Sequence, residues 1–138
     1  MFSVLKNLHV VRSILYLASN RAWWWELYFA PEFVKIVRQV KFDKSSEFKK
    51  LIESSYFFDK NLMYWLSKGY VFPIEHICYS ALDFSNIGRG VASLAFLSFI
   101  IDVWSKDSKF TADFMLDSVS IQLWQRMSSL STAKRQQL

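Results

Sequence analysis

Asp83, Asn86, Gly88 and Arg89 stand close together, directly in front of the chain's longest apolar run, residues 91–104. A carboxylate, an amide and a guanidinium at that spacing can cap a helix or recognise an anion. Asn86 is a good N-cap, because its side-chain oxygen can accept from a free backbone N–H of the first turn. Gly88 and Gly90 let other groups approach that turn closely. Arg89 is the unusual residue: a cation at a helix N-terminus opposes the helix dipole, at roughly a few tenths of a kcal/mol or more. Either Arg89 points into water and bears that cost, or an anion lies opposite it. Catalytic chemistry has less to work with. The chain holds two histidines, His9 and His76, one cysteine, Cys78, and no paired carboxylates at useful spacing. Both histidines read as structural, and Cys78 beside an apolar stripe reads as a small core residue. Clustered metal ligands do not occur. No enzyme activity, cofactor or metal is expected.

The elements that must position these residues are helices. Three glycines and two prolines in 138 residues leave little punctuation, and the length suits a single domain over 1–138 with its own core. A 52% apolar content, 18% of the chain being aromatic, is generous for a soluble monomer, so aromatic surface that meets a partner, including a second copy, is expected. A lone cysteine excludes an internal disulfide and suits a reducing compartment. The net charge of +5 comes from basic residues scattered among apolar ones, so solvated helix faces explain it and nucleic acid is not an expected partner.

Spacing places the helices. Val4, Leu8, Val11, Leu15 and Ala18 recur at helical intervals over residues 1–20. Lys6, Asn7, His9 and Arg12 break that stretch too often for a signal peptide. Pro31-Glu32 starts a second helix with Phe33, Ile36, Val37 and Val40 inward. Ser45 or Ser46 caps a third, carrying Phe48, Leu51 and Ile52. Asp59 caps a short one that stops at Lys68-Gly69. Phe72-Pro73 opens another, with Ile77 and Ala81 inward, and Asp107 or Ser108 begins a last long stretch. The 14-residue run 91–104 falls short of the roughly 18 residues that span a bilayer. With a polar end to the chain, a soluble protein without a transmembrane anchor is expected. The tryptophans 23–25 read either as a stacking or interfacial patch or as a corner packed on the core with one ring partly exposed. A helix apolar on every side belongs in the middle of a bundle. The fold class is therefore all-α, a helical bundle around a central buried apolar helix.

Asn86-x-Gly88-Arg89 followed by Val91, Ala92 and Phe96, with Asp83 upstream, resembles the first homology motif of the B-cell lymphoma 2 family of apoptosis regulators. Ile87 replaces the usual Trp, and Gly90 a larger apolar residue. Residues 47–62 are similar to the segment lining one side of that family's groove, with Phe48, Ile52, Tyr56 and Leu62 at comparable spacing. Trp124 stands where the second homology motif begins, but no Gly pair follows. The resemblance covers roughly residues 31–104 and is closest to the compact, tail-less homologues of large DNA viruses, of the iridovirus type.

That resemblance implies a Bcl-like fold and helix-in-groove recognition, with pro-apoptotic proteins as partners through their amphipathic death helix. The groove would be built by the helices around 47–66, the 73–84 helix and the start of the 91–104 helix. Phe48, Ile52, Tyr56, Leu62, Ile77, Ala81, Val91, Ala92 and Phe96 would form its walls. Arg89 would pair with the ligand's Asp, beside Asn86 and Gly88. A pro-survival decoy in the host-cell cytoplasm, acting at the mitochondrial surface, is the implied role. The rival is a membrane-inserting, pore-forming helical hairpin of the pro-apoptotic type, made from 91–104 and 110–127.

Overall fold

The computed structural model describes residues 2–106 and 108–137, with side chains as far as 129. A 3-10 turn, Ser3–Lys6, leads into α1, Leu8–Ala18, which Asn7 caps by accepting from Val10 N at 3.2 Å. The break at Asn7 turns the first stripe. Leu5, Val11, Ile14, Leu15 and Ala18 are buried, whereas Val4 faces water and Leu8 is half-buried. A short α2, Trp24–Tyr28, buries nothing, and Trp23, Trp24 and Trp25 are all more than half exposed. The expectation of a packed corner with a single exposed ring is thus corrected.

Pro31 is the N-cap of α3, Glu32–Asp43, which turns Val34, Val37 and Lys41 inward and leaves Ile36 exposed. Then α4, Ser45–Ser54, starts from Lys44 without a side-chain cap and buries Phe48 and Ile52, with Leu51 outside. Asp59 caps no helix. It lies in the turn of a hairpin of two short strands, β1 (Tyr56–Phe57) and β2 (Lys60–Asn61). Asn61 caps α5, Leu62–Ser67, by accepting from Tyr64 N at 2.9 Å. Gly69, at φ +89°, reverses the chain before α6, Phe72–Ser80.

The centre is α7, Ile87–Lys106, sheathed by the other helices. Gly88, Arg89 and Gly90 lie inside it and not ahead of it, so the helix has 20 residues. The expectation that no helix is long enough to cross a membrane is corrected: by length and composition α7 qualifies, at a mean hydropathy of 1.5. Its packing is that of a core helix, 61% buried within the bundle. Trp104 at its end donates Nε1–H to the Leu66 carbonyl at 3.0 Å, which ties α7 to α5. The last helix, α8, is Ala112–Gln137, opened by Thr111 Oγ1 accepting from Phe114 N at 3.1 Å. Ser108 instead accepts from Phe110 N in the preceding turn, and Asp107 lies outside the described residues. Arg12 links α1 to α8 through Asp117 at 2.6 Å and Asp113 at 3.2 Å.

Where α1 ends, a polar node joins it to α3 and α7. Arg38 donates to the carbonyls of Leu17 (3.1 Å) and Ser19 (2.7 Å), and Lys41 Nζ to that of Ala18 (2.6 Å). Cations there suit the negative end of the helix dipole. Lys41 also pairs with Asp102 at 2.7 Å, both side chains about nine-tenths buried, and Asp102 accepts from Asn20 N at 2.8 Å. Burial pulls the Lys41 pKa down, and the hydrogen bond and charge of Asp102 oppose that shift.

Candidate ligand-binding site

The mouth of α7 is assembled from local bonds. Asn86 Oδ1 accepts from Arg89 N at 2.9 Å, the expected cap. The loop ahead of it is fastened to α7 by Ser93, whose hydroxyl accepts from Asp83 N (3.0 Å) and donates to Asp83 O (3.1 Å). That anchor turns the Asp83 carboxylate toward Arg89, and the two pair at 3.1 Å across a well-exposed surface. Arg89 also reaches Ser85 Oγ at 3.5 Å. The side-chain and backbone hydrogen bonds of Ser85, with smaller help from Arg89, hold the Asp83 carboxyl below its ordinary pKa. The dipole cost of Arg89 is therefore offset within the chain, and no outside anion is needed to explain it.

Gly90 has a different reason. A Cβ there would lie 2.1 Å from the ring of Phe2, which sits on the helix between Phe84 (5.3 Å) and Phe33 (6.5 Å). Gly88 meets nothing closer than Asn86 Oδ1 at 3.6 Å.

From Arg89 a stripe runs down α7 through Ala92, Phe96 and Phe99, at helical spacing. Arg89 is exposed, Ala92 and Phe99 are half-buried, and Phe96 is covered. What covers it is Phe48 of α4, whose ring lies 5.2 Å from that of Phe96 and 5.8 Å from that of Phe99. The expected groove wall is thus closed in this conformation. Phe48, Ile52, Leu62 and Ile77 are core residues, as are Val91 and Phe96. Their apolar faces pack inward because an empty apolar cleft is costly in water. Tyr56 is exposed on the hairpin and Ala81 is exposed after α6, so neither joins the others.

An open apolar groove lies elsewhere. Of about 680 Å³, it runs along α1 by Val10, Ile14 and Leu17, against Phe33 and Val34 of α3, and ends at Ile87. Asn86, Gly88 and Arg89 do not line it. His9 borders it and His76 rests against Phe57 at 5.4 Å; both are exposed, not core. Cys78 is buried, and burial pushes its thiol up to about 12. Among the described residues no group of three or more His, Cys, Asp or Glu could hold a metal ion.

Sequence reasoning missed Ser93, Phe2 and the Lys41–Asp102 pair. The signals were present: a Ser and a lone Asp inside an otherwise apolar run, and a glycine where a large residue is usual.

A family model described as Adenovirus E1B 19K protein / small t-antigen matches residues 1–136. Relatives named E1B protein, small T-antigen occur in several adenoviruses. That of human adenovirus A serotype 12 is 36% identical over 123 residues, 88% of this chain and 73% of that protein. Those of human adenovirus C serotype 2 and E serotype 4 are 33% and 32% identical, covering 87% and 89% of this chain and 67% and 84% of theirs. No solved structure matches. The relatives are adenoviral, which corrects the iridovirus expectation while keeping the viral one. With the match running from the first residue through nearly all of α8, the chain belongs to the Adenovirus E1B 19K protein / small t-antigen family.

Proposed function

We propose that this chain is a viral, Bcl-like pro-survival protein that captures the amphipathic death helix of pro-apoptotic proteins. The observation that carries the reading is the mouth of α7. Asn86, Gly88 and an exposed Arg89 open a buried central helix, and a partly accessible apolar stripe leads away from the cation. An incoming helix would place its Asp on Arg89 in exchange for Asp83, and set apolar side chains on Phe96 and Phe99 in exchange for Phe48. Each fully buried anchor contributes roughly 1.5–3 kcal/mol, about what the displaced Phe48 ring gives up, so a second anchor supplies the surplus. Cytoplasmic action at the mitochondrial surface, and pairing of free copies through the same apolar face, belong to this reading.

Calorimetry against a panel of death-helix peptides tests it. Arg89→Ala should weaken binding at least about tenfold, and combining it with Ala at the peptide's Asp should be far from additive. Simple additivity, or no binding by any peptide, defeats the reading. The rival membrane-inserting hairpin draws support from the length of α7, and dye leakage from vesicles at neutral pH would favour it. The burial of α7 inside the bundle argues against it.

A further inference from the structure

The segment between α4 and α5 folds back as the β1–β2 hairpin, with Tyr56 opposite Asn61 and Phe57 opposite Lys60. Its two central residues, Phe58 and Asp59, have φ of +53° and +72°. That is the type I′ pattern, with both central residues in the left-handed region, which Asn-Gly fills at little cost and a bulky aromatic does not. Phe58 is nonetheless 84% exposed, more than any other large apolar side chain described. A strained backbone that holds an aromatic ring in water costs stability in conformation and again in apolar exposure. The contacts it makes at 6.3 Å with Trp65 and 6.2 Å with Phe72 leave most of the ring wet.

Behind the tip the rings are fixed. Trp65 donates Nε1–H to the Phe57 carbonyl at 2.8 Å, which binds α5 to the hairpin. Tyr64, Phe72 and Tyr70 lie 5.2, 5.2 and 5.7 Å from Trp65. Lys60 and Lys68 place their ammonium groups 5.3 and 5.7 Å from the ring of Tyr64. Against these two cations the turn sets one acid, Asp59. An apolar ring at the tip, amphipathic Tyr and Trp rings behind it and lysines beside them match the water–lipid boundary. Protein interfaces, by contrast, are depleted in lysine.

We infer that the 56–61 hairpin and the rings of α5 form a membrane-surface anchor. Phe58 enters the boundary of the acyl chains while Lys60 and Lys68 lie against anionic head groups. The anchor is independent of the peptide-binding reading and uses none of its residues at the mouth of α7.

The test mixes the whole protein with vesicles of phosphatidylcholine alone and with vesicles containing about one-third phosphatidylserine, and reads the bound fraction by co-sedimentation. Binding is expected to the anionic vesicles and to fall as salt rises. Phe58→Gly relieves the strained turn, so it should keep or raise the melting temperature and lose at least about tenfold in partition. Lys60→Glu with Lys68→Glu should abolish the preference for phosphatidylserine. Equal partition of the wild type and Phe58→Gly overturns the anchor, as does partition that survives there but falls in Trp24→Ala, which puts the contact on α2. Failure of the wild type to bind either vesicle also overturns it and makes these rings a protein-facing surface.

Discussion

Replacing Gly90 by Ala should change sign with the residue that sits on it. The added methyl would fall 2.1 Å from Cζ and 2.4 Å from Cε2 of Phe2, far inside contact distance. The ring must leave its seat, or the first turn of α7 must shift. Phe2 is buried between Phe33 and Phe84, so losing that burial costs about 1.5–3 kcal/mol. Ala in a helix returns up to about 1 kcal/mol over Gly. Gly90→Ala should therefore destabilise the protein by about 0.5–2 kcal/mol. In a Phe2→Ala background the obstacle is gone and the propensity gain stands alone, so the same substitution should stabilise by up to about 1 kcal/mol. Urea denaturation of the four proteins, with midpoints compared at a common slope, reads both signs. If Gly90→Ala stabilises the wild type, or has the same sign in both backgrounds, Phe2 does not occupy Gly90 in solution.

Lys41→Ala should cost about 3–5 kcal/mol, because Asp102 is left buried without its cation; Lys41→Met with Asp102→Leu should recover most of that in the same denaturation assay. Recovery failing would mean that the bonds to Ala18 and Asn20 outweigh the ion pair. Cys78, with its thiol raised to about 12, should resist alkylation at pH 8 in the native state and react at the rate of unfolding; prompt labelling would contradict its burial. Asp83 has a depressed folded pKa, so the order it lends the α7 mouth is complete above the ordinary carboxylate pKa of about 3.9 and is lost as pH falls through the lower folded value. A carboxyl titration of Asp83 by NMR at or above about 3.9 would refute the Ser85 and Arg89 bonds.

Features fixed by short-range chemistry were legible in the sequence. The apolar run and the Asn86 cap are local, and both α7 and its first-turn bond follow from them. Which face a helix buries was less legible, because one irregular turn rotates everything after it. The break at Asn7 moves Leu5 and Ile14 inward and Val4 outward, and Pro31 as cap shifts α3 toward Val34 and away from Ile36. Pairings between distant elements were hidden altogether. A lysine after Val37 and an aspartate in an apolar run become meaningful only once α3 and α7 cross, and Phe48 closes the groove only once α4 folds over Phe96. Asp59 looked like a helix cap because Asp caps helices and left-handed turns are ordinarily given to Asn or Gly, not Phe.

The node that joins the end of α1 to Lys41 and Asp102 lies 13 residues along α7 from Arg89, about 20 Å at helical rise. One end of the central helix is thus set in a foundation of buried, charge-assisted bonds shared by three helices. The other end is moored at the surface by Asp83, Ser85 and Asn86, with Phe2 as a chock on Gly90. The two ends are thus held by unlike means, exposed bonds at the mouth and buried ones at the root, so a substitution of Asp83 or Arg89 acts at the surface without touching the node that joins three helices.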